Sequence, residues 1–180
     1  MNSVENILRQ RAIKAAKKLE TAEIFDALEL IYFRIENERY AIEASAVSEV
    51  HKFKEPTPIP FTPSYVCGIF YLRGRFVSLV SLINFLGIGE QRRDSSCSIL
   101  LLSDEKMEFG IIVDEVLEQK KLSKSDIQAL PSGFNLPRTD LVVGVTQEGV
   151  VVLDGKRFLS DPTVVIYQES TTLYKGKSDV

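Results

Sequence analysis

A chain of 180 residues is long enough for one substantial domain or two small ones sharing an interface. Its 44% hydrophobic and 26% charged residues are an ordinary folded composition, and a net charge of −3 argues against a general nucleic-acid surface, which needs excess Lys and Arg. No stretch approaches the roughly 18 consecutive apolar residues of a membrane span, and the N-terminus is charged where a signal peptide would be apolar. The expectation is a protein of the reducing cytosol, with no direct membrane insertion and with Cys67 and Cys97 as buried free thiols.

Residues 1–28 read as an amphipathic helical extension. Val4, Ile7, Leu8, Ala12, Ala15, Ala16 and Leu19 fall on one helical face, with Arg9, Arg11, Lys14, Lys17 and Lys18 largely on the others. Five basic and two acidic residues give Met1–Glu20 a local charge of +3 on an otherwise acidic chain. Three uses are open to this helix: docking on its own domain, docking on a partner or self-associating, or lying on a membrane surface.

Leu28–Ala46 reads as strand, turn, strand, with Ile31, Phe33 and Ile35 alternating before the polar Glu36-Asn37-Glu38. Val47, Val50 and Phe53 follow. Pro56, Pro58, Pro60 and Pro63 make Glu55–Ser64 a stiff connector, with Ile59 and Phe61 expected to tuck inward. Tyr65–Gly87 holds two nearly continuous apolar runs joined at Arg73-Gly74, the pattern of a hairpin buried on most of both faces. The second run has room for a helical turn around Ile83, Phe85 and Leu86. Arg73, at the tip, is solvated, paired to a carboxylate, or placed for a partner.

Gly87–Ser96 reads as a loop. Ser98–Leu102 and Glu108–Val113 form a third hairpin, and Leu141–Val145 with Gly149–Leu153 a fourth. Lys120–Leu130 reads as an irregular loop or one short helix. Val164–Tyr167 is a last strand or the start of a weak helix, and 168–180 a tail. Short strands with tight turns indicate small barrels or a sandwich, and two small barrels sharing a core fit the length.

No catalytic or metal constellation emerges, and no cofactor is expected. The single histidine, His51, and two distant cysteines supply no zinc spacing, and no serine stands in a nucleophile elbow. Asp114-Glu115 could hold a hard cation, yet the periodic oxygens of a calcium loop are missing. An apolar β body with polar turns and no convergent chemistry fits a binding module. Two alternatives stand beside it: a small-barrel nucleic-acid-binding protein, and a ligand- or metal-gated regulatory domain using Asp114 and Glu115.

Four segments carry a resemblance: Leu30–Val50 (LIYFRIENERYAIEASAVSEV), Pro60–Gly74 (PFTPSYVCGIFYLRG), Phe109–Glu118 (FGIIVDEVLE), and LVVGV with VVVLDGKRFL at Leu141–Val145 and Val150–Leu159. In that order the chain resembles the CheW family, the chemotaxis coupling proteins, and the related regulatory domain of CheA histidine kinases. The resemblance implies a mainly β fold of two small five-stranded SH3-like β-barrels sharing a hydrophobic core, here with an N-terminal helical extension. The resemblance runs over roughly Glu29–Leu159, and the domain bounds are read as 1–28 for the extension, 29–167 for the CheW-like domain and 168–180 for the tail. It implies a non-enzymatic adaptor between a CheA-type histidine kinase and the cytoplasmic tip of methyl-accepting chemoreceptors. Such an adaptor is cytoplasmic and recruited to membrane-associated receptor arrays. By position, Val47, Glu49 and Arg73 fall on the family's kinase-binding surface, with Arg73 able to pair with an acid such as Glu49. Val80, Val113 and Val116 fall in its receptor-binding groove. Ser78 and Ser81 stand where the family usually has proline and aspartate.

Overall fold

The computed structural model describes residues 27–89, 94–133 and 136–164. The helix read over Val4–Leu19, the tail 168–180 and all but the first residue of Val164–Tyr167 lie outside the described residues.

Eleven strands and two short α-helices make up the described body. They are β1 (Ala27–Ile35), β2 (Glu38–Glu43), β3 (Val47–Lys52), β4 (Val66–Leu72), β5 (Arg75–Ser81), α1 (Leu82–Leu86), β6 (Ser98–Ser103), β7 (Glu108–Val113), β8 (Glu115–Ser123), β9 (Ile127–Gln128), β10 (Val142–Thr146), β11 (Val151–Leu153) and α2 (Gly155–Leu159). One sheet has six strands in the order β8-β1-β2-β11-β10-β9, and the other has five in the order β3-β6-β7-β5-β4. The pairs β2–β11 and β5–β7 are parallel; the others are antiparallel.

The expectation of two closed five-stranded barrels is corrected by this pairing. In the five-stranded sheet β3 and β4 are opposite edges, and the hairpin turn after β4 reaches β3 only through side chains, Arg73 to Glu49. In the other sheet β9 follows β8 after one 3-10 turn, Lys124–Asp126, too short to fold it back as a partner, and the two remain separate edges. Both sheets are open.

Alternation along the central strands explains the apolar runs. On β6, Leu100 and Leu102 face a core between the sheets, while Ile99 and Leu101 face a second core on the opposite side. A strand buried on both faces leaves no place for polar residues. The common core draws Phe33, Ile35, Tyr40 and Ile42 from β1 and β2, Phe109 and Ile111 from β7, and residues of both helices. The six-stranded sheet has its own further core of Leu30, Tyr32, Ala41, Val150 and Val152.

Where the sequence suggested a loop or helix over Lys120–Leu130, β8 continues to Ser123, running antiparallel to β1 from Arg34↔Glu115 to Ala27↔Ser123, and a 3-10 turn at Lys124–Asp126 and the two-residue β9 follow. Most of β8 is exposed, so no alternation of apolar residues marked it. Its lysines and glutamates suit an edge strand, where charge discourages pairing with other chains. The proline connector bridges β4 through Thr57↔Ile69. This approach needs Gly68 (φ +133°), since a Cβ there would lie 2.2 Å from the Thr57 carbonyl oxygen. Phe61, expected inside, is fully exposed, and Ile59 is half-buried. Phe61 adopts φ +63°, and this turn of the backbone carries it away from the sheet.

Candidate functional site

The β4–β5 hairpin turns through Arg73 (φ +46°) and Gly74 (φ +91°), both positive as in a type I′ turn, whose twist matches that of the flanking strands. This turn holds Arg73 against β3. There a bulge between Val47 and Glu49 shifts the register. Before it, Val47 lies opposite Leu102 and packs against the common core; after it, Glu49 and His51 lie opposite Leu101 and Ile99. Glu49 is thereby brought to the five-stranded sheet's own core side, at the mouth that the hairpin tip covers.

A lattice of charge results. Glu49 Oε2 is 3.0 Å from Arg73 Nη1 and 2.8 Å from His51 Nε2. Glu49 Oε1 lies 3.8 Å from Arg75 Nη2. Arg75 donates to Glu108 on β7 through Nε (2.6 Å) and Nη2 (2.8 Å), a bidentate fork. The hydrogen bond to Glu108, then its charge, raise the Arg75 pKa. Glu49 is about a quarter exposed and Arg73 about two thirds exposed. Pairs this open to solvent add little, so the lattice fixes geometry more than it stabilises the fold. Beside it, Tyr71 and Phe76 are cross-strand partners, both exposed, with ring centroids 5.3 Å apart.

The second group of residues lies where the sheets meet. Val80 on β5 is paired with Ile111 on β7, and Val80 and Val113 are 2% and 0% exposed. Both are core residues that shape the junction from behind. Val116, opposite Phe33, is half-buried against the same core and can be reached from outside. Next to it is a polar recess of about 310 Å³ lined by Arg34, Asp94, Ser96, Cys97, Asp114 and Glu115.

Asp114 Oδ2 accepts from the Glu36 amide at 2.6 Å, and its own amide donates to the Arg34 carbonyl at 3.0 Å. Glu115 is 3.0 Å from Arg34. These acids strap the β1–β2 turn to the β7–β8 junction. Among the described residues no group of three or more His, Cys, Asp or Glu is arranged to hold a metal. Cys67 and Cys97 are buried, the Cys67 thiol donating to the Tyr65 carbonyl and the Cys97 thiol to Asp94 Oδ1, both at 3.9 Å. Among the described residues no helix is long and apolar enough to cross a membrane.

Sequence reasoning brought out Glu49 and Arg73 but missed Arg75 and Glu108. Those two are 33 residues apart, and only the parallel pairing of β5 with β7 brings them together.

Two open sheets around one core, with a charge-locked hairpin on one and a recess at their junction, make a protein–protein binding module. The family model of the CheW-like domain matches residues 29–163. The chain is 29% identical to the chemotaxis protein CheW of Bacillus subtilis over 153 residues, covering 84% of this chain and 94% of that one. It is 31% identical to the chemotaxis protein CheW of Helicobacter pylori over 140 residues, 78% and 83% of the two chains. The crystal structure of the scaffolding protein TtCheW from Thermoanaerobacter tengcongensis superposes with a TM-score of 0.63 at 25% identity, over 70% of this chain and 88% of that one. The chain belongs to the CheW-like domain family. It is a non-enzymatic CheW-type adaptor that couples chemoreceptors to a CheA-type kinase.

Proposed function

We propose that the coupling runs through two separate faces of this chain. Val47, Glu49 and Arg73 form the face for the regulatory domain of a CheA-type histidine kinase. The junction of the sheets forms the groove for the cytoplasmic tip of a methyl-accepting chemoreceptor. In that groove Val80 and Val113 shape the wall from within, and Val116 makes contact. The observation that carries the reading is the Glu49–Arg73 pair at 3.0 Å, which holds two charged side chains in one arrangement at the rim of a sheet while adding little stability. An ion pair kept in place for small energetic return suits recognition, where charge sets register and partner choice.

The domain plan of 1–28, 29–167 and 168–180, a cytoplasmic location and recruitment to receptor arrays belong to the same proposal. A rigid body bound by two partners links their conformations, because each partner's preferred state biases the shared complex. Removing the two outer methyl groups in Val116→Ala should weaken binding of a receptor-tip fragment about 5-fold, with kinase binding unchanged. Titration of the variant with each partner checks this. Equal losses for both partners would contradict the assignment of separate faces.

A further inference from the structure

The side chain of Arg138 joins elements that belong to different sheets. It precedes β10 of the six-stranded sheet, yet its guanidinium carbon lies 4.7 Å from the ring centroid of Phe85 in α1, which continues β5 of the other sheet. The same guanidinium pairs with Asp140 at 2.9 Å and with Asp161. Asp161 is only 6% exposed and also accepts from the amide and the hydroxyl of Thr163. The Thr163 carbonyl accepts from Tyr65 Oη at 2.8 Å, which returns the contact to the residue just before β4. Beneath this polar chain runs a train of rings: Tyr65–Phe85 at 5.1 Å, Phe85–Phe158 at 4.8 Å and Phe158–Phe109 at 5.3 Å. Phe158 belongs to α2, after the six-stranded sheet, and the other three lie on the five-stranded side.

We propose that Arg138 is a positioning residue that sets the orientation of one sheet against the other, and so the placement of the two partner faces. The ring contacts favour tilted and edge-to-face geometries but include no hydrogen bond or charge that fixes them. Arg138 supplies direction: its planar fork grips two carboxylates while its guanidinium carbon lies over the Phe85 ring. An ammonium group offers neither the fork nor the flat face. The geometric half of the proposal stands without any partner. The functional half rests on the two-face reading.

The test uses the full chain with Cys67 and Cys97 replaced by alanine and spin labels at Lys52 on β3 and Lys121 on β8, both exposed and on different sheets. Pulsed dipolar spectroscopy then reads the distance distribution between the sheets. Arg138→Gln and Asp161→Asn should at least double its width. Ile112→Val, which lowers stability from a core outside this contact, should leave it unchanged. If Arg138→Gln does not fold, Phe85→Leu removes the stacking face while keeping apolar volume. An unchanged width in the folded variants overturns the proposal.

In reconstituted receptor–kinase assemblies, Arg138→Gln should also reduce the receptor-dependent change in kinase activity by about 5-fold or more while each partner still binds alone. Broadening without loss of control would overturn the functional half. A wild-type chain that binds no kinase would sink the two-face reading, and the spin-label result would still decide the geometry.

Discussion

Glu49 shows how one carboxylate can organise a surface: it meets Arg73, His51 and Arg75 at once. None of the four is deeply buried, so the energetic consequence of losing it is small and the geometric consequence large. The opposite balance holds at Asp161. Burial pushes its pKa up, but donors from Thr163 and then Arg138 outweigh burial and hold it below the usual carboxylate value. Asp140 is lowered first by its hydrogen bond to Arg138. A carboxylate with a folded pKa below its unfolded value of about 3.9 adds stability that is complete above that pH and lost as pH falls through the folded value. Thermal unfolding followed from pH 6 to pH 2.5 should therefore show an acid limb beginning below about pH 4, and Asp161→Asn should flatten it. An acid limb of the same slope in Asp161→Asn would assign it to other groups.

Among the elements, α1 explains one departure from the family pattern. Ser81 is fully buried and its hydroxyl accepts from the Asn84 amide at 3.2 Å, capping the helix N-terminus. Serine and aspartate are both strong caps, so serine keeps the role that the usual aspartate can play. Ser81→Ala should cost about 1 kcal/mol in chemical denaturation, because it removes the cap and leaves the amide of the half-buried Asn84 without it. A loss under a few tenths of a kcal/mol would show that the cap is not needed.

The hairpins were legible because their cues are local: apolar runs, a polar or glycine turn, and Gly87 ending α1. Strand β8 was not, since it is paired along one edge and exposed over most of its length, which leaves no periodicity to read. Closure into barrels was expected from the run of short strands as well as from the family, and it failed at the sheet edges: β3 and β4 stay opposite edges of one sheet, β8 and β9 of the other. The same limit applied to the site. Arg73 stood out as a charge at a hairpin tip and Glu49 through the resemblance, whereas the Arg75–Glu108 fork and the Arg138–Asp161 pair span 33 and 23 residues and carry no local signal.

At the scale of the whole molecule the two sheets share one core, and Phe158 sits in it against both Phe85 and Phe109. Truncating a buried phenylalanine costs about 3–5 kcal/mol, through lost transfer energy and the cavity left behind. Phe158→Ala should lower the protection of amides in both sheets together, as seen by hydrogen exchange, and unfolding should remain a single transition. Loss confined to the six-stranded sheet would mean that the sheets are separate cooperative units. A single unit is what a coupling role needs, since a partner on one face can bias the other only through a body that moves as a whole.

The most direct test of that role is calorimetric titration of the full chain into the isolated regulatory domain of its CheA-type kinase, comparing wild type with Glu49→Arg. The expected result is a complex with Kd on the order of micromolar, about −8 kcal/mol. Glu49→Arg should lose at least 10-fold in affinity, since an added cation there faces Arg73 and Arg75, in a chain whose circular dichroism is unchanged. Equal affinity for wild type and variant, or a folded wild type that does not bind, would contradict it.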